Sequence, residues 1–102
     1  MANICENELH VYSENPNNLA YIKKYFDEWH SAEIVEIDDD TLEIFFESRW
    51  DFPTTEMEEM AKEIPDKETI HMECLSVEWG NYYCAFNVFN VFDNNDCYWR
   101  TY

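Results

Sequence analysis

The sequence predicts an α+β domain in which an antiparallel sheet carries two helices on one face. Three observations predict it. Residues 5–13 and 41–48 alternate apolar and polar side chains with the period of a half-buried strand, and 82–92 reads as a strand with Cys84, Phe86 and Val88 on one face and Tyr83, Ala85, Asn87 and Phe89 on the other. Two segments repeat their apolar residues with helical spacing instead. Pro16, Pro53, Pro65 and Gly80 fall between these runs and punctuate them.

The elements follow in order. In residues 5–13, Asn7, Leu9, Val11 and Ser13 share one face, and Glu6, Glu8, His10 and Tyr12 share the other. Asn15-Pro16 is a helix start, because proline is suited to an early helical position. Leu19, Ile22, Phe26 and Trp29 then form one stripe, so helix 1 is expected over 16–30. Lys23–Asp27 and Lys24–Glu28 are spaced as ion pairs on its wet side. Residues 33–37 and 41–48 read as a hairpin about the Asp38-Asp39-Asp40 turn. Thr55 with Glu58 has capping-box spacing, and Met57, Met60, Ala61 and Ile64 give helix 2 over 55–64, stopped by Pro65. Residues 69–79 and 82–92 are strands joined at Gly80-Asn81. Asp93-Asn94-Asn95-Asp96 is turn-forming, and 97–102 is a last short strand.

The succession β-α-β-β-α-β is that of the ferredoxin-like arrangement, extended here by a C-terminal β-hairpin. The tail is rich in aromatics (Tyr82, Tyr83, Phe86, Phe89, Phe92, Tyr98 and Trp99), which predicts that the second sheet face is partly covered. At 102 residues the whole chain, 1–102, is one domain. With 46% hydrophobic and 18% aromatic residues it has the material for a packed core, which excludes intrinsic disorder.

Charge narrows the function. The chain has 23 Asp+Glu against 6 Lys+Arg, a formal net charge of -17. Binding to nucleic-acid phosphates needs clustered cations, so direct nucleic-acid contact is excluded, and docking on anionic lipid is disfavoured. There is no secretory leader pattern and no run of about 18 apolar residues that would span a membrane, so a cytoplasmic location is expected. Cys5, Cys74, Cys84 and Cys97 are widely spaced with no CxxC pair, which points to free thiols.

No catalytic residues, cofactor or metal ligands are assigned. His10, His71, Cys5, Cys74 and Cys84 would need to meet to hold a metal, but His71 and Cys74 have opposite parity on one strand. The Asp38–Asp40 run lacks the spaced carboxylates and glycine of a calcium loop. A single glycine rules out a phosphate-cradling loop, and no serine sits in an elbow motif. The chain is therefore not expected to be an enzyme.

Some stretches look familiar. The opening Met1-Ala2-Asn3-Ile4-Cys5-Glu6-Asn7-Glu8-Leu9-His10-Val11 and the block Phe45-Phe46-Glu47-Ser48-Arg49-Trp50-Asp51-Phe52-Pro53 carry the likeness. An acidic helix, Ile64-Pro65-Asp66 and a strand ending near Glu78 complete it. Together they resemble the YubB-type ferredoxin-like domain of phage and plasmid proteins, over roughly residues 1–11 and 42–80. The chain departs from it at Trp79 and after residue 81. The resemblance implies a fold and a mobile-element setting, and no activity or catalytic residues.

The expected job is non-enzymatic protein binding. Glu56, Glu59 and Glu63 form one wet stripe on helix 2, with Glu58 beside it. Glu33, Glu36, Asp38, Asp39, Asp40, Glu43 and Glu47 crowd the hairpin. Such a field steers basic surfaces into contact, and strongly basic surfaces in cells are mostly nucleic-acid-binding grooves. The expected partner is thus a protein with a basic surface, such as a nucleic-acid-handling host enzyme. In a phage setting this means an anti-CRISPR or anti-restriction inhibitor acting as a DNA mimic. The partner-binding candidates are Asp38, Asp39, Asp40, Glu56, Glu59, Glu63 and Trp50. Trp50 is either an exposed interaction anchor or a plug between sheet edge and helix 2. The alternative is a structural or assembly module using its sheet edge or aromatic hairpin, with acidity serving only solubility.

Overall fold

The computed structural model describes residues 3–29, 31–80, 82–91 and 97–102, with only the backbone of 90, 91, 97 and 98. The elements are β1 (Ile4–Ser13), α1 (Pro16–Asp27), β2 (Glu33–Asp38), β3 (Thr41–Arg49), α2 (Thr54–Lys62), β4 (Ile70–Glu78), β5 (Tyr83–Val91) and β6 (Cys97–Thr101). A single 3-10 turn, Lys67–Thr69, precedes β4. One six-stranded sheet has the order β2-β3-β1-β4-β5-β6, with every neighbouring pair antiparallel. The α+β class with an antiparallel sheet and two helices is therefore as expected. The C-terminal hairpin lengthens the sheet beyond β4.

β1 is central because both of its edges are paired. Its inward residues Cys5, Asn7, Leu9, Val11 and Ser13 are all buried, as the alternation requires. The α1 stripe of Leu19, Ile22 and Phe26 and the α2 stripe of Met57, Met60 and Ala61 join Leu9 and Val11 in one core cluster. Leu42, Ile44 and Phe46 of β3, Met72 and Cys74 of β4, Phe89 of β5 and Trp99 of β6 complete it. Both helices thus lie on one face. Tyr21 and Tyr25 lock them together, donating to the Met60 carbonyl at 2.7 Å and the Glu56 carbonyl at 3.3 Å.

Polar groups inside this core are paired. Asn18 of α1 is fully buried and donates to Ser13 Oγ at 3.1 Å, the Asp66 carbonyl at 2.7 Å and Thr69 Oγ1 at 3.2 Å. It also accepts from the Asp66 N–H at 2.9 Å, which pins the segment after α2 to α1. On β1, Asn7 donates to Ser48 Oγ at 2.9 Å and accepts from Ser76 Oγ at 2.7 Å, tying the strand to both neighbours. Each such bond matters because an unpaired buried polar group costs about 1–3 kcal/mol.

The helix ends differ from expectation. Asn15 caps α1 as read, its side chain accepting from Asn17 N–H at 2.9 Å, but the helix stops at Asp27. Trp29 turns back instead, and its indole N–H donates to the Glu47 carbonyl at 3.1 Å. Lys23 pairs across to Glu36 of β2 at 2.7 Å rather than along the helix to Asp27. Helix α2 starts one residue early, and its cap position is Pro53, which has no side-chain acceptor. Thr55 therefore lies inside the helix and the capping box does not form.

Among the described residues the second sheet face is not covered as expected. Phe89 and Trp99 point into the helix-side core, whereas Phe86 points the other way. Phe45, Leu75 and Phe86 remain 38%, 39% and 36% exposed on that open face. Phe92 and Tyr98 lie outside the described side chains.

Candidate functional site

The candidate residues from sequence lie on separate parts of the surface. Asp38, Asp39 and Asp40 form the β2–β3 turn, where the Asp40 carbonyl accepts from Ser13 N–H at 2.9 Å. Asp38 and Asp39 lie beside the start of α1, in a groove with Pro16, Leu19, Lys23 and Glu36. Glu56, Glu59 and Glu63 are exposed on α2 and run alongside Tyr21 and Tyr25 of α1. Burial first, and then the nearby Glu63, raises the Tyr21 hydroxyl above its usual range. Burial, then Glu56 and Glu59, does the same to Tyr25. The structure does not bring the Asp turn and the α2 stripe into one patch.

Trp50 does not plug the sheet edge. Its side chain is 50% exposed and its backbone is left-handed, with φ 72°. Its N–H donates to the Asn3 carbonyl at 3.0 Å, which fixes the turn that leaves β3. A bulky residue in this conformation costs roughly 1–2 kcal/mol. Residues held in such sparsely populated backbone conformations cluster at functional sites. Trp79, 71% exposed, and Tyr82, 92% exposed with φ 56°, stand at the β4–β5 turn.

What the fold does assemble is the open sheet face. Strand register places Phe45, Glu8 and Leu75 side by side on β3, β1 and β4, with Phe86 of β5 next to Leu75. The adjacent row holds Glu47, Glu6, Val77 and Cys84. A groove of about 380 Å³ lies over these rows, lined by Glu6, Glu8, Ser31, Glu33, Phe45, Glu47, Leu75, Val77 and Trp79. Trp79 folds over its end, the indole N–H donating to Glu6 Oε2 at 3.1 Å. Ser31 walls the other side and accepts from Glu47 N–H at 3.2 Å. Four carboxylates thus surround an apolar floor.

The histidines and cysteines that would have to meet to hold a metal separate by face. Cys5 and Cys74 are buried on the helix side; His10, His71 and Cys84 are on the open side. His10 sits between Glu8 and Glu43, with Nε2 3.1 Å from Glu8 and Nδ1 3.4 Å from Glu43. These three could share one cation, since their donor atoms lie within 4.8 Å of one another. As they stand, the imidazole lies between the two carboxylates. Burial pushes the Cys74 thiol up to about 12 and raises the Cys5 thiol, so both are poor nucleophiles. No helix among the described residues is long and apolar enough to cross a membrane.

The open-face site was missed from sequence, although its ingredients were readable: Glu6 and Glu8 alternate outward on β1, and Glu33 and Glu47 belong to the acidic hairpin. Only strand register unites them. No family model, curated protein or solved structure matches this chain.

Proposed function

We propose that this chain is a small non-enzymatic protein-binding module that docks its carboxylate-rich surface on a basic surface of a partner protein. The observation that carries the reading is the open sheet face. Exposed Phe45, Leu75 and Phe86 lie among Glu6, Glu8, Glu33 and Glu47, and among the described residues no helix packs on this face. Among the described residues the lysine–carboxylate ion pair within 4.0 Å is Lys23–Glu36, and His10 and His71 stand beside Glu8, Glu43 and Glu73. Most of the surplus charge is therefore left to act on whatever approaches. An apolar surface fringed by unneutralised acids suits a partner that supplies both cations and apolar contacts.

The finer reading is that such a partner is a nucleic-acid-handling enzyme whose groove this chain occupies as a DNA mimic. The setting is the cytoplasm of a host carrying a phage or plasmid, and the chain blocks a defence nuclease sterically and electrostatically. Support for the setting is the likeness to the YubB-type domain. In the same reading β1 to β4 and the two helices are a ferredoxin-like core, and β5 and β6 are its extension. The assembly alternative is weakened at the β2 edge, where exposed Glu33, Glu36 and Asp38 would repel the same edge of a second copy.

The test is capture of host proteins on the immobilised chain, eluted with NaCl from ~0.1 to ~1 M, where screening is nearly complete. The proposal expects a partner that elutes within this range and loses DNA binding when the chain is added. A partner held equally at ~1 M salt would contradict the electrostatic reading.

A further inference from the structure

We propose that the groove on the open sheet face is a receptor for one long cationic side chain, arginine or lysine, projecting from the partner. The proposal rests on the protein-binding reading above and names the site and its anchor. Its geometry comes from four strands and a loop. Phe45, Leu75 and Val77 make an apolar floor on β3 and β4, on either side of β1. Glu8 rises between Phe45 and Leu75, and Glu6 between Glu47 and Val77. Glu33 closes the β2 side, where it is paired with Phe45. Trp79 forms a wall at the other end, held over the groove by its bond to Glu6 at 3.1 Å.

Each part matches a part of the ligand. A methylene stem covers an apolar floor while its charged head stays with polar groups. Four carboxylates offer the acceptors that a guanidinium or ammonium needs, and an indole face attracts either cation. Other occupants fit badly. An anion is repelled. A neutral apolar group would strip water from the carboxylates and give nothing back. Among the described residues no lysine, arginine or histidine pairs with Glu6, Glu33 or Glu47 within 4.0 Å, so the chain's own cations do not fill the role. A volume of about 380 Å³ is at the small end for ligand pockets, in keeping with a single anchor.

The probes are N-acetyl-arginine methylamide and its lysine counterpart, with the citrulline and norleucine counterparts as neutral isosteres. They are titrated into ¹⁵N-labelled protein. The expected result is saturable shifts of the Glu6, Glu8, Phe45, Glu47, Leu75 and Val77 amides and the Trp79 indole, with the cationic probes only. The double variant Glu33→Gln/Glu47→Gln, at exposed positions, should weaken binding at least about fivefold, and Trp79→Ala at least about threefold. Equal binding of citrulline, or shifts spread evenly over Asp38–Asp40 and Glu56–Glu63, would overturn the proposal. The two readings fail separately. A salt-sensitive partner that binds the double variant unchanged removes the groove and leaves protein binding standing. A saturable cationic probe in this groove, with no salt-sensitive partner recovered, keeps the groove and removes the wider reading.

Discussion

Cys74 makes the stability of this protein depend on alkaline pH. The thiol is fully buried beside Ser76, whose hydroxyl lies 3.8 Å from its sulfur. Burial disfavours the thiolate and pushes its pKa from 9.0 to about 12. The sign follows directly. The folded state holds the proton more tightly than the unfolded chain. The benefit is complete below about pH 9 and is lost as pH rises towards 12. At 1.36 kcal/mol per unit, the full loss is roughly 4 kcal/mol, and about half of it is gone by pH ~10.5. That is a large share of the 5–15 kcal/mol typical of a domain. The perturbation is Cys74→Ala, and the assay is urea unfolding at pH ~7.5, ~9 and ~10.5. Wild type should lose about 2 kcal/mol more than the variant between the first and last values. Tyr21 and Tyr25 have hydroxyls raised mainly by burial and not by Cys74, so their contribution cancels in the difference, whereas Cys5 and Tyr83 feel the Cys74 charge and add a smaller coupled part. Parallel curves for the two proteins would refute the reasoning, because they would mean that Cys74 ionises alike folded and unfolded.

Other outcomes follow from the same structure. Asn18→Leu should cost about 1–3 kcal/mol in urea unfolding, since it strands the Asp66 N–H that the Asn18 side chain now satisfies, while the Asp66 carbonyl keeps Thr69 as a donor. Alkylation of the native protein followed by peptide mapping should mark exposed Cys84 and leave buried Cys5 and Cys74 unmodified until denaturant is added. Trp50→Gly should raise the unfolding midpoint, worth up to about 1 kcal/mol, by relieving the left-handed backbone; a fall would show that the indole packs more than its exposure implies. With 23 acids against 6 basic residues, the compact state repels itself, so added NaCl should stabilise it. Each ~1 kcal/mol of relief would raise the melting midpoint by roughly 4–8 °C.

Much of the architecture was legible because the relevant signals are local. The alternation of β1 names its buried side correctly from Asn7 to Ser13, and Leu19, Ile22 and Phe26 mark the packed face of α1. Asn15-Pro16 marks the start of α1 because a cap and a fixed φ act within a few residues. Other features depend on distant chain and stayed hidden. Asn18 is buried because the Asp66 segment passes over it, 48 residues away. Trp50 reads as an apolar residue next to a strand, and nothing in its neighbours encodes a positive φ. The aromatic tail pointed to a covered second face, yet whether Phe86 is covered depends on where β6 goes, and β6 pairs beside β5 in the same sheet.

The candidate site divides in the same way. Surplus acid was plain from composition, and Asp38, Asp39 and the α2 stripe are exposed as read, with Asp40 half-buried. Their separation was not plain, because helix-to-hairpin geometry is a tertiary property. The groove needed register: a shift of one residue on β1 would turn Glu6 and Glu8 into the core and bring Asn7 outward. Trp79 offers a partial signal, since an exposed Trp at a strand end beside an acidic alternation is what an anchor site requires.

The most direct test of the account compares three charge-neutralised forms for affinity to the captured partner at ~0.1 M NaCl. They are Glu33→Gln/Glu47→Gln in the groove, Asp38→Asn/Asp39→Asn at the turn, and Glu56→Gln/Glu59→Gln/Glu63→Gln on α2. The account predicts that all three weaken binding, the groove pair by at least about tenfold and more than either other set. Unchanged affinity in all three would mean that the carboxylates only keep the protein in solution.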